Sequence, residues 1–277
     1  MPLNQTIVRS HDRTNMKTLQ DRIALVTGAT AYIGRAAALE LARRGAHVVV
    51  NGRNAHSGHA VVDEIQSAGG RAEFEAADLT DREAVRAMVG RIVQRHGRLD
   101  VLVASGAGAS SDSLAFKLFM EMEGADFETY IRSHWLSRAH AIQAAAAAMR
   151  AQRHGKIVAI GTDAGRVATV GESFIGGATG GMMQMCRVLA RELGRDGIRI
   201  NAVAMSYIWD AEPRWGGGSP ALAGAHGQGM IDNLRKRMLF PVHCADIAQA
   251  AAFFAGPESD AITGQTLSVN GGLSTPG

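Results

Sequence analysis

What the chain lacks narrows it first. Its 277 residues include only two cysteines, Cys186 and Cys244, too few for the disulfide framework of a small secreted protein. Cys186 falls among the apolar positions of a helical pattern and Cys244 just ahead of another, so both read as reduced thiols and the protein as cytoplasmic. No apolar run approaches the roughly 20 residues of a membrane span. The first twenty residues also lack the apolar stretch of a signal peptide. The formal net charge is only +3 and the basic residues are scattered, which argues against a nucleic-acid surface. No His, Cys, Asp and Glu grouping has metal-ligand spacing, so no metal is expected.

What remains is a chain with 46% hydrophobic residues, enough to bury one large core. Strand-like and helix-like stretches alternate along it. Strands are expected at Ile23 to Thr27, His47 to Asn51, Ala72 to Glu75, Val101 to Ala104, Ile157 to Ile160, Ile198 to Ala204 and Thr266 to Val269. Helices fall between them: one running to about Arg44, then His59 to Ala68, Asp81 to His96, a long Ala-rich one over roughly Asp126 to Gln152, and one from near Phe174 to about Arg195. This alternation implies an α/β fold with a Rossmann-like, doubly wound parallel sheet and a ligand crevice at the strands' C-terminal ends. One domain is expected over 21–277, with a substrate-loop insertion at about 205–240. Residues 1–20 read as a flexible arm, with Met16 as a second candidate start.

The first strand–turn–helix reads Thr27-Gly28-Ala29-Thr30-Ala31-Tyr32-Ile33-Gly34. A glycine-rich turn opening a helix is a site for a pyrophosphate. With Asp78-Leu79 after the third strand, Gly197-Ile198-Arg199-Ile200-Asn201-Ala202-Val203, Ile262-Thr263-Gly264-Gln265 and the terminal Asn270-Gly271-Gly272, the chain resembles the short-chain dehydrogenase/reductase (SDR) family from about Asp21 to Gly272. The resemblance implies cofactor-binding roles for Gly28, Gly34, Arg53 and Asp78. Arg53 stands where such an Arg faces the 2′-phosphate of NADP, and Asp78 where an Asp contacts adenine. Tyr32 replaces the family's middle glycine, and its ring is expected in space used by pyrophosphate or nicotinamide.

Family members carry a Ser after the fifth strand, a Tyr thirteen positions later and a Lys four beyond that. The Lys shares a helix face with the Tyr and lowers its pKa, so that the phenol can exchange a proton with substrate. In this chain those positions are Thr162, Ile175 and Thr179. The helix Asn of the proton relay aligns with His134, the Asn-Asn-Ala-Gly after the fourth strand with Ala104-Ser105-Gly106-Ala107, and the Pro-Gly after the sixth with Met205-Ser206. His134, Thr162, Asp163, Ser206, Tyr207 and Asp210 are candidates to border one crevice; Asp163 is expected to cap or brace its loop and Glu172 to cap the next helix.

Two relationships inside the family bear on function. The phrase Thr162-Asp163-Ala164-Gly165-Arg166-Val167, followed by Gly171-Glu172, resembles members that oxidise hydroxyacyl-CoA thioesters in aromatic degradation, of the benzylsuccinate-pathway type. Thr27, Tyr32 and Gly34 resemble the halide-pocket pattern of halohydrin dehalogenases. The leading expectation is a pseudoenzyme: the non-catalytic subunit of a heteromeric hydroxyacyl-CoA dehydrogenase, binding no dinucleotide or NADP weakly, with NAD(P) held by its partner. That partner would be an active SDR paralogue, packed against the helices about 126–152 and 174–195, with an acyl-CoA as a further ligand. Ala139, Ile142, Ala146 and Met149 on the first helix, and Met182, Met185, Leu189 and Leu193 on the second, are the expected interface faces. The alternatives are an autonomous enzyme with rebuilt non-redox chemistry and a divergent NADP-dependent oxidoreductase.

Overall fold

The computed structural model describes residues 18–106, 118–211 and 232–275. Seven parallel strands run in the order β3-β2-β1-β4-β5-β6-β7. They are β1 (Ile23–Thr27), β2 (His47–Gly52), β3 (Arg71–Ala76), β4 (Val101–Ala104), β5 (Gly155–Thr162), β6 (Ile198–Met205) and β7 (Thr266–Val269). Every residue of β1, β4 and β5 is buried, as a sheet covered on both faces requires. The chain reverses direction across the sheet between β1 and β4, so the loops after these two strands meet at the crevice. This is the doubly wound α/β fold expected from the alternation.

Among the described residues, the helices that flank the sheet include α1 (Tyr32–Arg43), α2 (Ala55–Ser67), α3 (Arg82–His96), α4 (Gly124–Tyr130), α5 (Ser137–Gln152), α6 (Ser173–Leu193) and α7 (Cys244–Ala255). On one face α1, α2 and α7 close a core around Leu41, Ile65 and Ile247. On the other, α3, α5 and α6 close a second around Met88, Ile142, Met149 and Met182. Asp81 caps α3 by accepting from the Glu83 and Ala84 amides at 2.9 and 3.0 Å. Gly97, at φ 75°, ends that helix. Helix α2 starts four residues ahead of the expected His59, because the Asn54 side chain accepts from the Ser57 amide at 3.0 Å and opens the helix there.

Three expectations need correction. The long helix over Asp126 to Gln152 is α4, a π-helical turn at Ile131–Leu136, and α5 in succession. Its distortion has a local cause. Thr129, Ser133 and Ser137 each turn a hydroxyl back to the carbonyl four residues earlier, a bond that bends helices. Secondly, Leu19 is 1% exposed and its amide donates to the Arg44 carbonyl at 3.0 Å, so the packed fold begins ahead of Asp21. The rest of the expected arm, residues 1–17, lies outside the described residues, as does 212–231 of the expected substrate loop.

The third correction concerns the proposed interface. Ile142, Met149 and Met182 are buried within the chain's own second core. The apolar surface left on this side consists of Ile131, Trp135, Leu136 and Val188, all exposed, with Ala139, Ala146, Met185 and Leu189 partly covered. Among the described residues, no helix is long and apolar enough to cross a membrane.

Candidate active-site crevice

The turn from β1 into α1 depends on close backbone contact. Gly28 adopts φ 60°, a conformation that favours glycine. A Cβ there would collide with the Gly106 Cα, and one at Gly34 with the Gly28 carbonyl. The turn is held by Asn51, which is fully buried at the end of β2. Its side-chain oxygen accepts from the Gly28 amide at 3.4 Å and its backbone carbonyl from the Ala29 amide at 2.8 Å. Its amide group donates to the Glu75 and Ala77 carbonyls. Sequence reading missed Asn51, whose signal was a polar side chain ending an otherwise apolar strand.

Tyr32 opens α1 at φ 45°. A side chain in this left-handed conformation costs about 1–2 kcal/mol. The residue is partly buried and packs against the core on the α1 and α7 side. Farther along the strand ends, Asp78 accepts from the Thr80 amide and hydroxyl, both at 2.8 Å. Burial acts to raise the Asp78 pKa, but the two Thr80 bonds and the nearby Arg53 guanidinium outweigh it and hold the carboxyl below its usual range. Gly28, Arg53 and Asp78 therefore lie on the loops at the C-terminal ends of β1, β2 and β3, and Gly34 in the first turn of α1.

The second half of the crevice follows β5. Thr162 is buried, and its hydroxyl oxygen accepts from the Ala164 amide at 3.3 Å. Asp163 is a brace, as expected: its carboxylate accepts from the Ser268 hydroxyl at 2.7 Å, from the Ser274 hydroxyl at 3.2 Å and from the Asn270 amide. These bonds tie the loop to the terminal segment after β7. On α6, Ile175 is partly exposed and Thr179 is 2% exposed. The Thr179 hydroxyl donates to the Ile175 carbonyl of its own helix at 2.7 Å. Gly165 packs so closely on α6 that a Cβ there would meet the Thr179 hydroxyl at 2.9 Å and the Gly180 amide at 2.5 Å. Thr162, Asp163 and Thr179 are thus brought together around the end of β5.

Other expected members are not part of this group. Asp210 accepts from the Cys244 amide at 2.9 Å and so serves the start of α7. Tyr207 is buried in the first core, with the Arg235 guanidinium 5.7 Å from its ring centre. Glu172 stands at the N-terminus of α6 but its side chain makes no capping hydrogen bond, so the expected cap is corrected.

Before α6 lies an aromatic group that sequence reading did not assemble. The Phe127 and Phe174 rings stack 4.4 Å apart, with Phe119 at 6.0 Å from Phe127. Tyr130 is 6.3 Å from Phe174 and 5.4 Å from the His134 ring. His134 itself is buried, with Nδ1 2.8 Å from the Ser133 hydroxyl. Burial, followed by the Glu172 and Asp126 carboxylates, pushes the Tyr130 phenol up to about 12. Burial alone pushes Glu172 up to about 7. One helical turn beyond His134, the Arg138 guanidinium is buried and donates to the Ile160 carbonyl at 2.9 Å and to the His134 carbonyl at 2.8 Å. Burial lowers its pKa to about 10. An arginine on the sheet-facing side of an alanine-rich helix was the missed signal.

Chemically, the aromatic group at the start of α6 holds a phenol that resists ionisation, with a carboxyl nearby that takes up a proton near neutrality. The Glu172 proton has a measurable consequence. The unfolded chain releases it near 4.5 and the folded chain near 7, so the folded state is favoured on the acid side. This stability is fully present below about pH 4.5 and lost as pH rises through about 7, a difference of about 3 kcal/mol. Urea unfolding at pH 5 and pH 8 should show wild type losing more stability than Glu172→Gln. Equal losses would place Glu172 in water.

A doubly wound sheet with a glycine turn after its first strand defines a nucleotide-binding class of α/β protein. Comparison narrows it further. The model of the enoyl-(acyl carrier protein) reductase family matches residues 28–274. A 3-oxoacyl-acyl-carrier-protein reductase of Staphylococcus aureus is 33% identical over 257 residues, covering 90% of this chain and 97% of that protein. Cyclohexanol dehydrogenase of a Rhodococcus species is 34% identical over 276 residues, covering 94% and 98%. A solved 7α-hydroxysteroid dehydrogenase, in complex with NADH and 7-oxo glycochenodeoxycholic acid, superposes with a TM-score of 0.81 at 28% identity, covering 93% of this chain and 96% of that one. The chain belongs to the short-chain dehydrogenase/reductase family.

Proposed function

We propose that this chain is the non-catalytic subunit of a heteromeric NAD(P)-dependent hydroxyacyl-CoA dehydrogenase, paired with an intact member of its family. One observation carries the reading. At the positions aligned with Tyr and Lys, Ile175 has no proton to exchange, and the Thr179 hydroxyl is bonded to its own helix. Tyr130, the phenol beside His134, is held near 12, the opposite of the lowered pKa that the chemistry needs. The hydroxyacyl-CoA assignment rests on the resemblance of the Thr162 to Glu172 segment.

Family membership and the NADH-bound neighbour support a nicotinamide nucleotide as the ligand class of the crevice. The residues present fit it unevenly. Arg53 and Asp78 suit an adenosine end, which a CoA thioester also carries. Tyr32 stands where the pyrophosphate-contacting glycine would be and opposes the other end. Dinucleotide binding by this chain is therefore weak, and the partner holds the NAD(P). Calorimetric titration with NADP, NAD and a CoA thioester tests this. Tyr32→Gly should relieve about 1 kcal/mol of backbone strain and tighten dinucleotide binding by about tenfold or more. Tight NADP binding that ignores Tyr32→Gly would overturn the reading.

A second reading, an autonomous enzyme with rebuilt non-redox chemistry, is favoured by Glu172. Its carboxyl titrates near 7 beside the aromatic group, a suitable value for acid–base work. The reductase and dehydrogenase names of the relatives support a third, a divergent NADP-dependent oxidoreductase. Against it stands the lack of an identified proton donor at the Ile175 register.

A further inference from the structure

We propose that His47, Glu73 and His96 form a divalent-metal site at the N-terminal edge of the sheet, opposite the crevice. The three come from separate elements. His47 is the first residue of β2, Glu73 lies within β3 and His96 ends α3. Strands β2 and β3 pair with His47 opposite Arg71 and Val49 opposite Glu73, so His47 and Glu73 share a face by the period-two rule. That face is the one α3 covers, since Val49 belongs to the core closed by α3.

The donor atoms already converge. All three ligand atoms lie within 4.8 Å of one another. His96 Nε2 is 2.9 Å from Glu73 Oε1, and His47 Nε2 is 4.0 Å from Glu73 Oε2. The two imidazole rings meet edge to face with centres 4.7 Å apart. Ligands about 2.0–2.2 Å from one zinc ion stand roughly 3.3–3.5 Å from each other, so side-chain adjustments of about an ångström complete the set.

A second observation is independent of this convergence. His47 Nε2 is buried and has no hydrogen-bond partner among the described residues, an arrangement that costs free energy and calls for an explanation. A cation at this point satisfies the nitrogen. Glu73 is also oriented from outside, because Arg95 donates to its Oε1 at 2.6 Å. Outer bonds of this kind are usual around metal-binding carboxylates. Two imidazoles and one carboxylate suit Zn²⁺ or a similar borderline ion, with water completing the shell. The ion would fasten β2, β3 and the end of α3 together. Spacing along the chain could not reveal the site, because its ligands are dispersed over three elements.

The test uses the full-length chain, freed of any histidine tag and stripped with a chelator. ZnCl₂ is titrated calorimetrically, and thermal unfolding is followed with and without it. The expected result is one saturable site per chain and a raised midpoint of unfolding. Both His47→Gln and His96→Gln should weaken binding by at least about tenfold. Arg71→Gln, which removes a positive charge that acts on His47, should tighten it. Co²⁺ in place of zinc should give the visible bands of a tetrahedral site. Absence of saturable uptake by the folded wild-type chain would overturn the proposal, leaving an ordinary His96–Glu73–Arg95 ion pair. So would uptake unchanged in both histidine variants.

Discussion

Assayed alone with NAD or NADP and a hydroxyacyl or ketoacyl thioester, the purified chain should turn over at least about 10²–10⁴-fold more slowly than an intact relative, the usual cost of losing one general acid–base. Several losses coincide in this chain. Ile175 carries no proton, and Thr179 brings no charge and has its hydroxyl engaged. Installing a phenol with Ile175→Tyr alone should not restore activity, because no lysine neighbours it to lower its pKa. Thr179→Lys would place an ammonium at a position now 2% exposed, beside the Gly165 loop, at a cost in stability. Steady-state rates of wild type, Ile175→Tyr and Thr162→Ala decide the matter. Robust wild-type turnover that Thr162→Ala abolishes would defeat the non-catalytic reading.

Co-expression with an intact family member from the same host should yield a heteromer of fixed mass, whereas the chain alone should self-associate or aggregate. Ile131, Trp135, Leu136 and Val188 present exposed apolar surface around the π-helical turn and α6. The Trp135 ring lies so close to α6 that a Cβ on Gly181 would meet it at 2.8 Å, so this surface is continuous across the two helices. An obligate interface commonly buries about 2,000 Å² or more, much of it apolar. Val188→Arg is the cleaner disruption: Val188 is 44% exposed, so the change adds a charge to the surface and spares the core. It should abolish the heteromer, as measured by mass, while leaving the chain folded.

The fold was legible because its signals are local. Val101–Ala104 is a short apolar run and Thr266–Val269 a short alternating one, each between turn residues, and they match the strands β4 and β7 to the residue. Asp81 announced the start of α3 by its chemistry. Local signals failed where the decisive contact was distant. Period 3.6 picks out an apolar face on α5 and α6, but Ile142, Met149 and Met182 turned that face to the chain's own sheet. Only topology decides between sheet and partner.

The candidate site divides in the same way. Gly28, Tyr32, Thr162, Ile175 and Thr179 follow from register along single segments, and the position of Asp163 in its loop implies a cap or a brace. Asn51, Tyr130 and Arg138 act across elements, through the Ala29 amide, the His134 ring and the Ile160 carbonyl respectively. Because carboxylates favour helix N-termini, the position of Glu172 implies a cap. Its burial instead leaves it as a weak acid.

The most direct test of the account is the composition of the complex purified from the native host: its mass, subunit identity and dinucleotide-binding stoichiometry. The account predicts equal copies of this chain and of a relative with intact Ser, Tyr and Lys, and one tight dinucleotide site for each pair of chains. A homotetramer of this chain alone, with one dinucleotide per chain and full dehydrogenase turnover, would contradict it.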